Sequence, residues 1–164
     1  MLTLQANYND TCHAQAIMQL MDAYTRDPAG GAKPLSEFAR VNLVNELAMR
    51  PQAFSILAFD GDMPVGLVNC FEGFSTFACK PLVNVHDVVV IDSHRGQRVG
   101  EQMLALAEYI AKQRGACKLT LEVLSGNRSA FRLYERIGFE SYQLDPEMGS
   151  AQFLQKWLAQ AAVE

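Results

Sequence analysis

A short segment rich in glycine and arginine, residues 95–100 (RGQRVG), has the composition of a phosphate-binding turn. It follows the β-branched run Val88–Ile91 and precedes apolar residues at helical spacing. A phosphate here would meet the unpaired N–H groups and the positive dipole end of a helix N-terminus. The glycines allow close backbone approach, and the arginines add charge. We therefore predict binding of a small polyanionic ligand by Arg95, Gly96, Gln97, Arg98, Val99 and Gly100.

Hydrophobic periodicity predicts the elements that would position this segment. Strands are predicted at 2–5, 55–59, 65–71, 82–91, 118–124 and 139–144. Helices are predicted from Asp10 or Thr11 to about 24, from 36 to before Pro51, from the junction to 114, and through residues 130–137 up to Gly138. Gly115 and Gly138 are predicted left-handed helix ends. Loops or turns are predicted at 26–34, 60–62, 74–77 and 145–149.

The resulting order is βααβββαβαβ, which predicts an α/β fold with a mixed sheet and helices on both faces. Residues 152–158 are predicted to form a final, returning strand, with a terminal amphipathic helix as the alternative. A chain of 164 residues is long enough for one well-buried core. We therefore expect a single domain over residues 1–164.

Composition limits the classes of function. The net charge of −4 and the pI near 5.4 argue against a nucleic-acid footprint, which needs a basic surface. No apolar run reaches the roughly 20 residues that cross a bilayer, so we expect no membrane partner and a cytoplasmic protein. The cysteines lack zinc or disulfide spacing, which predicts free, mostly buried thiols and no metal site; they are Cys12, Cys70, Cys79 and Cys117.

The chain resembles the GCN5-related N-acetyltransferase superfamily from its first predicted strand to its last, most strongly from residue 85 to residue 139. The resemblance includes a strand, an R-x-x-G-x-G/A junction, a helix, a strand and an N-x-x-A-x-x-x-Y-x-x-x-G-F element. That last element is Asn127, Ala130, Tyr134, Gly138 and Phe139 in this chain. The family usually has glycine at the position of Arg98. The backbone at Arg98 must therefore keep a negative φ, or the arginine must tolerate a less favourable conformation.

The resemblance implies transfer of an acetyl group from acetyl-CoA to a primary amine, by direct attack in a ternary complex and without a metal. By position, N–H groups of residues 95–100 would bind the pyrophosphate. Val88 and Val90 would offer main-chain hydrogen bonds to the pantetheine arm and the thioester carbonyl. Asn127 would bind the pantetheine, cap a helix, or do both. Tyr134 would protonate the departing thiolate, although helical spacing alone would make it a core residue.

An alkyl ammonium has a pKa near ~10, so a base must accept its proton before attack. His86 is the first candidate because two-residue alternation puts it on the face of Val88 and Val90. A hydrogen-bonded structural histidine is the alternative. Asp87 and Glu122 are the reserve candidates.

On the acceptor side, the resemblance points to segments 27–34 and 72–77. Phe71, Phe74 and Phe77 would wall a pocket there, while Asp27, Glu72 and Asp87 would attract a cation. A modest similarity to the diamine acetyltransferase branch favours a small cationic amine. A coenzyme A sensing module without catalysis and a protein lysine or N-terminal acetyltransferase are the alternatives, and a homodimer is a family expectation.

Overall fold

The structure, a computed structural model, describes residues 1–27, 33–142, 147, 149, 151–156 and 158. The chain divides into two compact units, Met1–Asn127 and Arg128–Glu164. The strands of the first unit are β1 (Leu2–Gln5), β2 (Ala53–Asp60), β3 (Met63–Ser75), β4 (Lys80–Val90) and β5 (Leu119–Leu121). Its helices are α1 (Thr11–Arg26), α2 (Glu37–Ala48) and α3 (Val99–Gln113).

The five strands form one mixed sheet in the order β1-β2-β3-β4-β5. The first four are antiparallel neighbours, whereas β5 pairs with β4 in parallel. One face of the sheet packs on α1 and α2, around Ile17, Leu57 and Leu67. On the other face, a Cβ added to Gly66 would lie 2.7 Å from Cε of Met103 in α3. The predicted mixed sheet with helices on both faces is confirmed.

Local capping signals set the helix boundaries. Asp10 precedes α1 and its carboxylate accepts hydrogen bonds from the N–H groups of Cys12 and His13, at 2.8 and 3.0 Å. These two bonds are the main reason that the pKa of Asp10 is lowered, the His13 bond having the larger effect. Ser36 caps α2 in the same way, and Gly115, with φ 74°, terminates α3. Asp10 is therefore the correct one of the two predicted starts of α1, and the predicted start at Ser36 and end at Gly115 are confirmed.

The hairpin between β3 and β4 is longer than predicted. The expected turn at 74–77 is wrong because β3 continues to Ser75, which pairs with Lys80, and Phe74 pairs with Pro81. The turn lies at residues 76–79 instead. It includes Cys79 with φ 50°.

The second unit contains α4 (Arg128–Arg136). Gly138, with φ 95°, follows it, and the N–H of Phe139 donates to the Tyr134 carbonyl at 2.9 Å, as in a Schellman motif. The strands predicted at 139–144 and 152–158 are wrong for the described residues, 139–142, 152–156 and 158, which form neither strand nor helix. Alternating apolar residues are not enough to make a strand, because the N–H and C=O groups of the segment also need a neighbouring strand to bond to. The rest of these segments, and most of the turn at 145–149 and the loop at 26–34, lies outside the described residues.

The expectation of mostly buried thiols is wrong. Cys12, Cys79 and Cys117 are exposed and only Cys70 is buried; all four are free. The exposed three lie in the first turn of α1, in the β3–β4 turn and before β5, where the chain runs at the surface. Burial raises the pKa of the Cys70 thiol to about 12. No helix within the described ranges is long and apolar enough to span a bilayer.

Candidate active site

The glycine and arginine junction forms a left-handed turn at the N-terminus of α3. Gly96 has φ 76°, and Arg98, the residue before α3, has φ 62° and ψ 18°. Arginine therefore occupies the conformation that glycine adopts most easily, which is the second of the two expected possibilities. No side chain caps α3, whose first α-helical hydrogen bond runs from the Gln102 N–H to the Arg98 carbonyl at 3.1 Å. Among the described residues no side-chain cap occupies the N–H groups of Val99 and Gly100, which can therefore bind an anion.

A buried histidine that sequence reasoning missed supports this turn. The imidazole of His94 lies with Nε2 3.3 Å from the Asp60 carboxylate and with Nδ1 2.9 Å from the Ser93 hydroxyl. The side-chain amide of Gln97 donates to the Ser93 carbonyl at 2.9 Å. These contacts connect the junction to the β2–β3 turn, and only the folded chain brings Asp60 near His94.

The Arg95 side chain is exposed, but protein groups hold its guanidinium. Its guanidinium donates to the Val90 carbonyl at 3.0 Å and pairs with Asp92 at 2.9 Å and with Asp27. Protein groups thus engage three of the five N–H donors of Arg95, and a phosphate contact by its side chain stays a prediction. Asp27, which was predicted for the acceptor side, pairs instead with Arg95 of the junction.

Strand β4 has an open edge next to the junction. β5 pairs only with Val83–Val85, and the described part of the chain offers no strand beside residues 86–90 on that side. The Ile91 N–H donates to the Val65 carbonyl of β3 at 3.0 Å. Because hydrogen bonds alternate along an antiparallel strand, the main-chain groups of Val88 and Val90 point away from β3, toward the open edge. The Val90 carbonyl already accepts the Arg95 hydrogen bond, so Val90 offers its N–H at this edge beside the main-chain groups of Val88. Their contacts with a cofactor stay a prediction.

His86 lies on the opposite face from the one expected. The β3–β4 register shifts between Asn69 and Cys70, so that His86 is an extra residue in β4. The bulge breaks the two-residue alternation, and the His86 ring contacts the Phe71 ring edge-on with centroids 5.4 Å apart. His86 therefore shares the α1 face with Asp87 rather than the α3 face with Val88 and Val90.

Asp87 is half-buried on the α1 face and accepts a hydrogen bond from the Asn69 amide at 3.0 Å. Tyr24 of α1 lies close by. Its pKa is raised by burial first, and then by the negative charges of Asp87 and Asp27. The carboxylate predicted as a reserve base thus lies under the C-terminal part of α1.

Glu122 follows directly after β5 and is exposed. Both of its carboxylate oxygens lie 3.5 Å from the side-chain amide of Asn84, which also contacts the Thr120 hydroxyl at 3.3 Å. Asn84 and Phe71 are paired residues of β3 and β4, so their side chains share a face. Glu122 therefore belongs to the same face of the sheet as His86 and Asp87.

Three predicted acceptor residues do not belong to this face. Glu72 pairs with Arg114 at 3.3 Å, and the Arg114 guanidinium lies 4.6 Å from the centroid of the Phe54 ring. Phe77 is fully exposed in the turn, and Phe74 is 60% exposed near it. The six residue-to-residue steps from Lys80 to His86 span roughly 20 Å of extended strand, too far for one pocket. The structure therefore corrects the prediction that Glu72, Phe74 and Phe77 line the acceptor site. The alternation of β3 directs the Glu72 side chain to the α3 face, and the longer hairpin places the two phenylalanines away from His86 and Asp87.

Asn127 is the last residue before α4, and its N–H donates to the Leu124 carbonyl at 2.8 Å. In the second unit Tyr134 is buried, and its ring meets the Phe139 ring at 63° with centroids 5.9 Å apart. Both residues hold the positions in the chain that the motif predicts, before and within α4.

These features define a mixed α/β acyltransferase fold. The open edge of β4 lies next to the N-terminus of α3, which has no side-chain cap and is preceded by a residue in the left-handed conformation. Residues 15–139 match the family model described as the acetyltransferase (GNAT) family. The chain belongs to this family.

Curated relatives agree with this assignment. Streptothricin acetyltransferase of Streptomyces lavendulae is 32% identical over 57% of this chain and 47% of its own length. Aminoalkylphosphonate N-acetyltransferase of Salmonella typhimurium is 31% identical over 55% of this chain and 58% of its own. The chain thus spans about half the length of these two relatives. An uncharacterized N-acetyltransferase of Bacillus subtilis (strain 168) is 27% identical over 79% of this chain and 85% of its own.

Solved structures show the same fold. A probable acetyltransferase superposes with a TM-score of 0.80 at 22% identity, covering 97% of this chain and 100% of its own. An aminoglycoside N-acetyltransferase in complex with CoA superposes with a TM-score of 0.72 at 15% identity, covering 94% of this chain and 93% of its own.

Proposed function

We propose that this protein transfers an acetyl group from acetyl-CoA to the primary amine of a small cationic molecule. The observation that carries the proposal is the combination of the open β4 edge with the uncapped N-terminus of α3. A diphosphate needs several N–H donors, and the residues around Arg98 and Gly100 offer them. An amide-bearing arm needs a strand-like edge, and Val88 and Val90 offer one.

In the proposed reaction, both substrates bind together and no acyl-enzyme forms. The ammonium gives one proton to a base, and the neutral nitrogen attacks the thioester carbon. A main-chain N–H at the β4 edge stabilises the negative charge on the carbonyl oxygen. As the C–S bond breaks, the thiolate takes a proton from the Tyr134 hydroxyl, and the second proton leaving the nitrogen restores the tyrosine. One proton is released per turnover.

The proposal of a cationic acceptor rests on the charges of the α1 face. Asp87 and Glu122 are carboxylates on this face of the sheet, and His86 lies on the same face. An ammonium would find favourable Coulomb energy there. Two relatives are named for acetylation of streptothricin and aminoalkylphosphonate, which supports a small-molecule acceptor.

The test is an amine panel with acetyl-CoA, read by free thiol release against a control without amine and by product mass. The panel contains streptothricin, an aminoalkylphosphonate, an aminoglycoside, a diamine and a peptide with a free N-terminus. We expect turnover with at least one small cationic amine and little with the peptide. Turnover of the peptide alone would identify a protein acetyltransferase instead. Binding of acetyl-CoA without turnover of any amine would favour a sensing module.

The direct-transfer mechanism has its own test. Acetyl-CoA is mixed with the protein in the absence of amine, and the protein is then examined by mass spectrometry. We expect no acetyl group on any cysteine at a level that turns over when amine is added. An acetylated thiol that disappears with amine would overturn direct attack.

A further inference from the structure

A chain of hydrogen bonds crosses the core and ends on Asp87. The Tyr8 hydroxyl lies 2.9 Å from Oγ of Ser55, which lies 2.6 Å from Oδ1 of Asn69. Nδ2 of Asn69 then donates to Oδ2 of Asp87 at 3.0 Å. Ser55 is 0% exposed and Asn69 is 3% exposed. The chain therefore joins the segment before α1 to β4 through two fully enclosed polar side chains.

The direction of every proton in this chain is fixed by its chemistry. Oδ1 of Asn69 can only accept, so the single proton of the Ser55 hydroxyl points to it. The Tyr8 hydroxyl must then donate to Ser55, and burial raises the pKa of Tyr8, which keeps that donor proton in place. All three donors therefore point along the hydrogen-bond chain toward the carboxylate of Asp87.

Stability alone does not require these polar groups. A buried hydrogen-bonded pair that is replaced by apolar side chains of similar shape is often neutral in stability. The hydrogen-bond chain does fix one carboxylate oxygen, because the Asn69 amide holds Oδ2 of Asp87 on the core side. Within the described ranges, no partner is found for the other oxygen, Oδ1. His86, the competing base, is exposed, and its ring lies edge to face with the Phe71 ring.

We propose that Asn69, supported by Ser55 and Tyr8, is a positioning residue that holds the Asp87 carboxylate toward the acceptor amine. This rests on the proposed function, in which a base accepts the ammonium proton; it selects Asp87 for that step and leaves His86 outside it. The proton moves from the ammonium nitrogen to Oδ1 of Asp87 and then to solvent. The chain behind Oδ2 keeps its bonds throughout.

The kinetic test is a double-mutant cycle between Asn69→Leu and Asp87→Asn, measured with acetyl-CoA and the most active amine of the panel. Asn69→Leu should lower kcat at least tenfold and leave the KM for acetyl-CoA within twofold. In the Asp87→Asn background, Asn69→Leu should have little further effect, since the group that it positions is gone. Equal losses in both backgrounds, or an Asn69→Leu variant with normal kcat, would overturn the proposal.

A matched control separates positioning from loss of stability. Ile56 is fully buried and pairs with Val68, and its side chain points to the α3 face, opposite to the face that carries Ser55 and Asn69. Ile56→Val should lower the melting temperature to a degree comparable with Asn69→Leu and leave kcat unchanged. Ser55→Ala should lower kcat less than Asn69→Leu, and Tyr8→Phe least of all. A loss of kcat that follows melting temperature across these variants would mean a structural role only.

A second readout requires no acceptor. Three-bond couplings between the backbone and Cγ of Asp87 report its χ1 rotamer by NMR. We expect a single rotamer in the native protein and averaged couplings in Asn69→Leu. Averaging in both proteins would overturn the positioning claim, even if thiol release confirms the acetyltransferase activity. A single rotamer with no thiol release from any amine would instead count against the proposed function.

Discussion

At Arg98 a charged side chain occupies a backbone conformation that lowers the folding stability. Its φ of 62° lies in the left-handed region, where a side chain costs roughly 1–2 kcal/mol relative to glycine. Glycine would relieve this cost but would add roughly 0.4–1 kcal/mol of unfolded-state entropy. Arg98→Gly should therefore stabilise the protein by about 0.5–1 kcal/mol. For a chain of this size, the melting temperature should rise by about 1–4 °C.

Arg98→Ala separates the two effects, because alanine keeps the strain and removes the charge. It should match the native melting temperature within about 1 °C. An exposed charge pair contributes about 0.2–1 kcal/mol, so Arg98→Gly and Arg98→Ala should both weaken CoA binding, by up to about fivefold. Cys79, with φ 50°, is a second strained position away from the junction. Cys79→Gly should stabilise the protein without any change in CoA affinity.

The assays are thermal unfolding without ligand and calorimetric titration with CoA. If Arg98→Gly melts below Arg98→Ala, the left-handed conformation is not a source of strain and the reasoning fails. If the Arg98 variants bind CoA as tightly as Cys79→Gly does, the arginine charge is not directed at the phosphates.

Three further predictions concern the acid, the packing and the thiols. Tyr134→Phe should lower kcat at least tenfold with CoA affinity unchanged, and unchanged turnover would remove Tyr134 from the acid role. Gly66→Ala should cost about 1–3 kcal/mol, because its Cβ would lie 2.7 Å from Met103 and 3.2 Å from the Val89 carbonyl. Gly126→Ala, with no atom within 4 Å of the new Cβ, is the control, and equal melting temperatures would contradict the packing argument. Cys70 has a pKa of about 12 in the fold, so stability should fall as pH rises above the unfolded value of ~8.5. The native protein should expose three reactive thiols at pH 8 and a fourth only in denaturant; four in the native state would refute the burial of Cys70.

The features that sequence reasoning predicted are those that local residues determine. Asp10 and Ser36 cap helices through bonds to residues two or three positions on, and Gly115 and Gly138 end helices through their own φ. The junction at 95–100 is likewise a local signal. Such features depend on a few neighbouring residues, so a single sequence contains them.

The features that sequence reasoning missed depend on residues far apart in the chain. The bulge at His86 is a property of the pairing between β3 and β4, and it moved the candidate base to the other face. The Glu72–Arg114 pair joins residues 42 positions apart, and it removed Glu72 from the acceptor site. The Arg95–Asp27 pair joins residues 68 positions apart, and no periodicity reports such contacts.

The central claim is that main-chain N–H groups at the N-terminus of α3 and at the open edge of β4 bind the CoA part of the substrate. An amide-resolved NMR titration of the protein with CoA tests it most directly. The claim predicts saturable shifts for the N–H signals of Val99, Gly100 and Glu101 together with those of Val88 and Val90. Binding without shifts at these amides, or no binding at all, would contradict it.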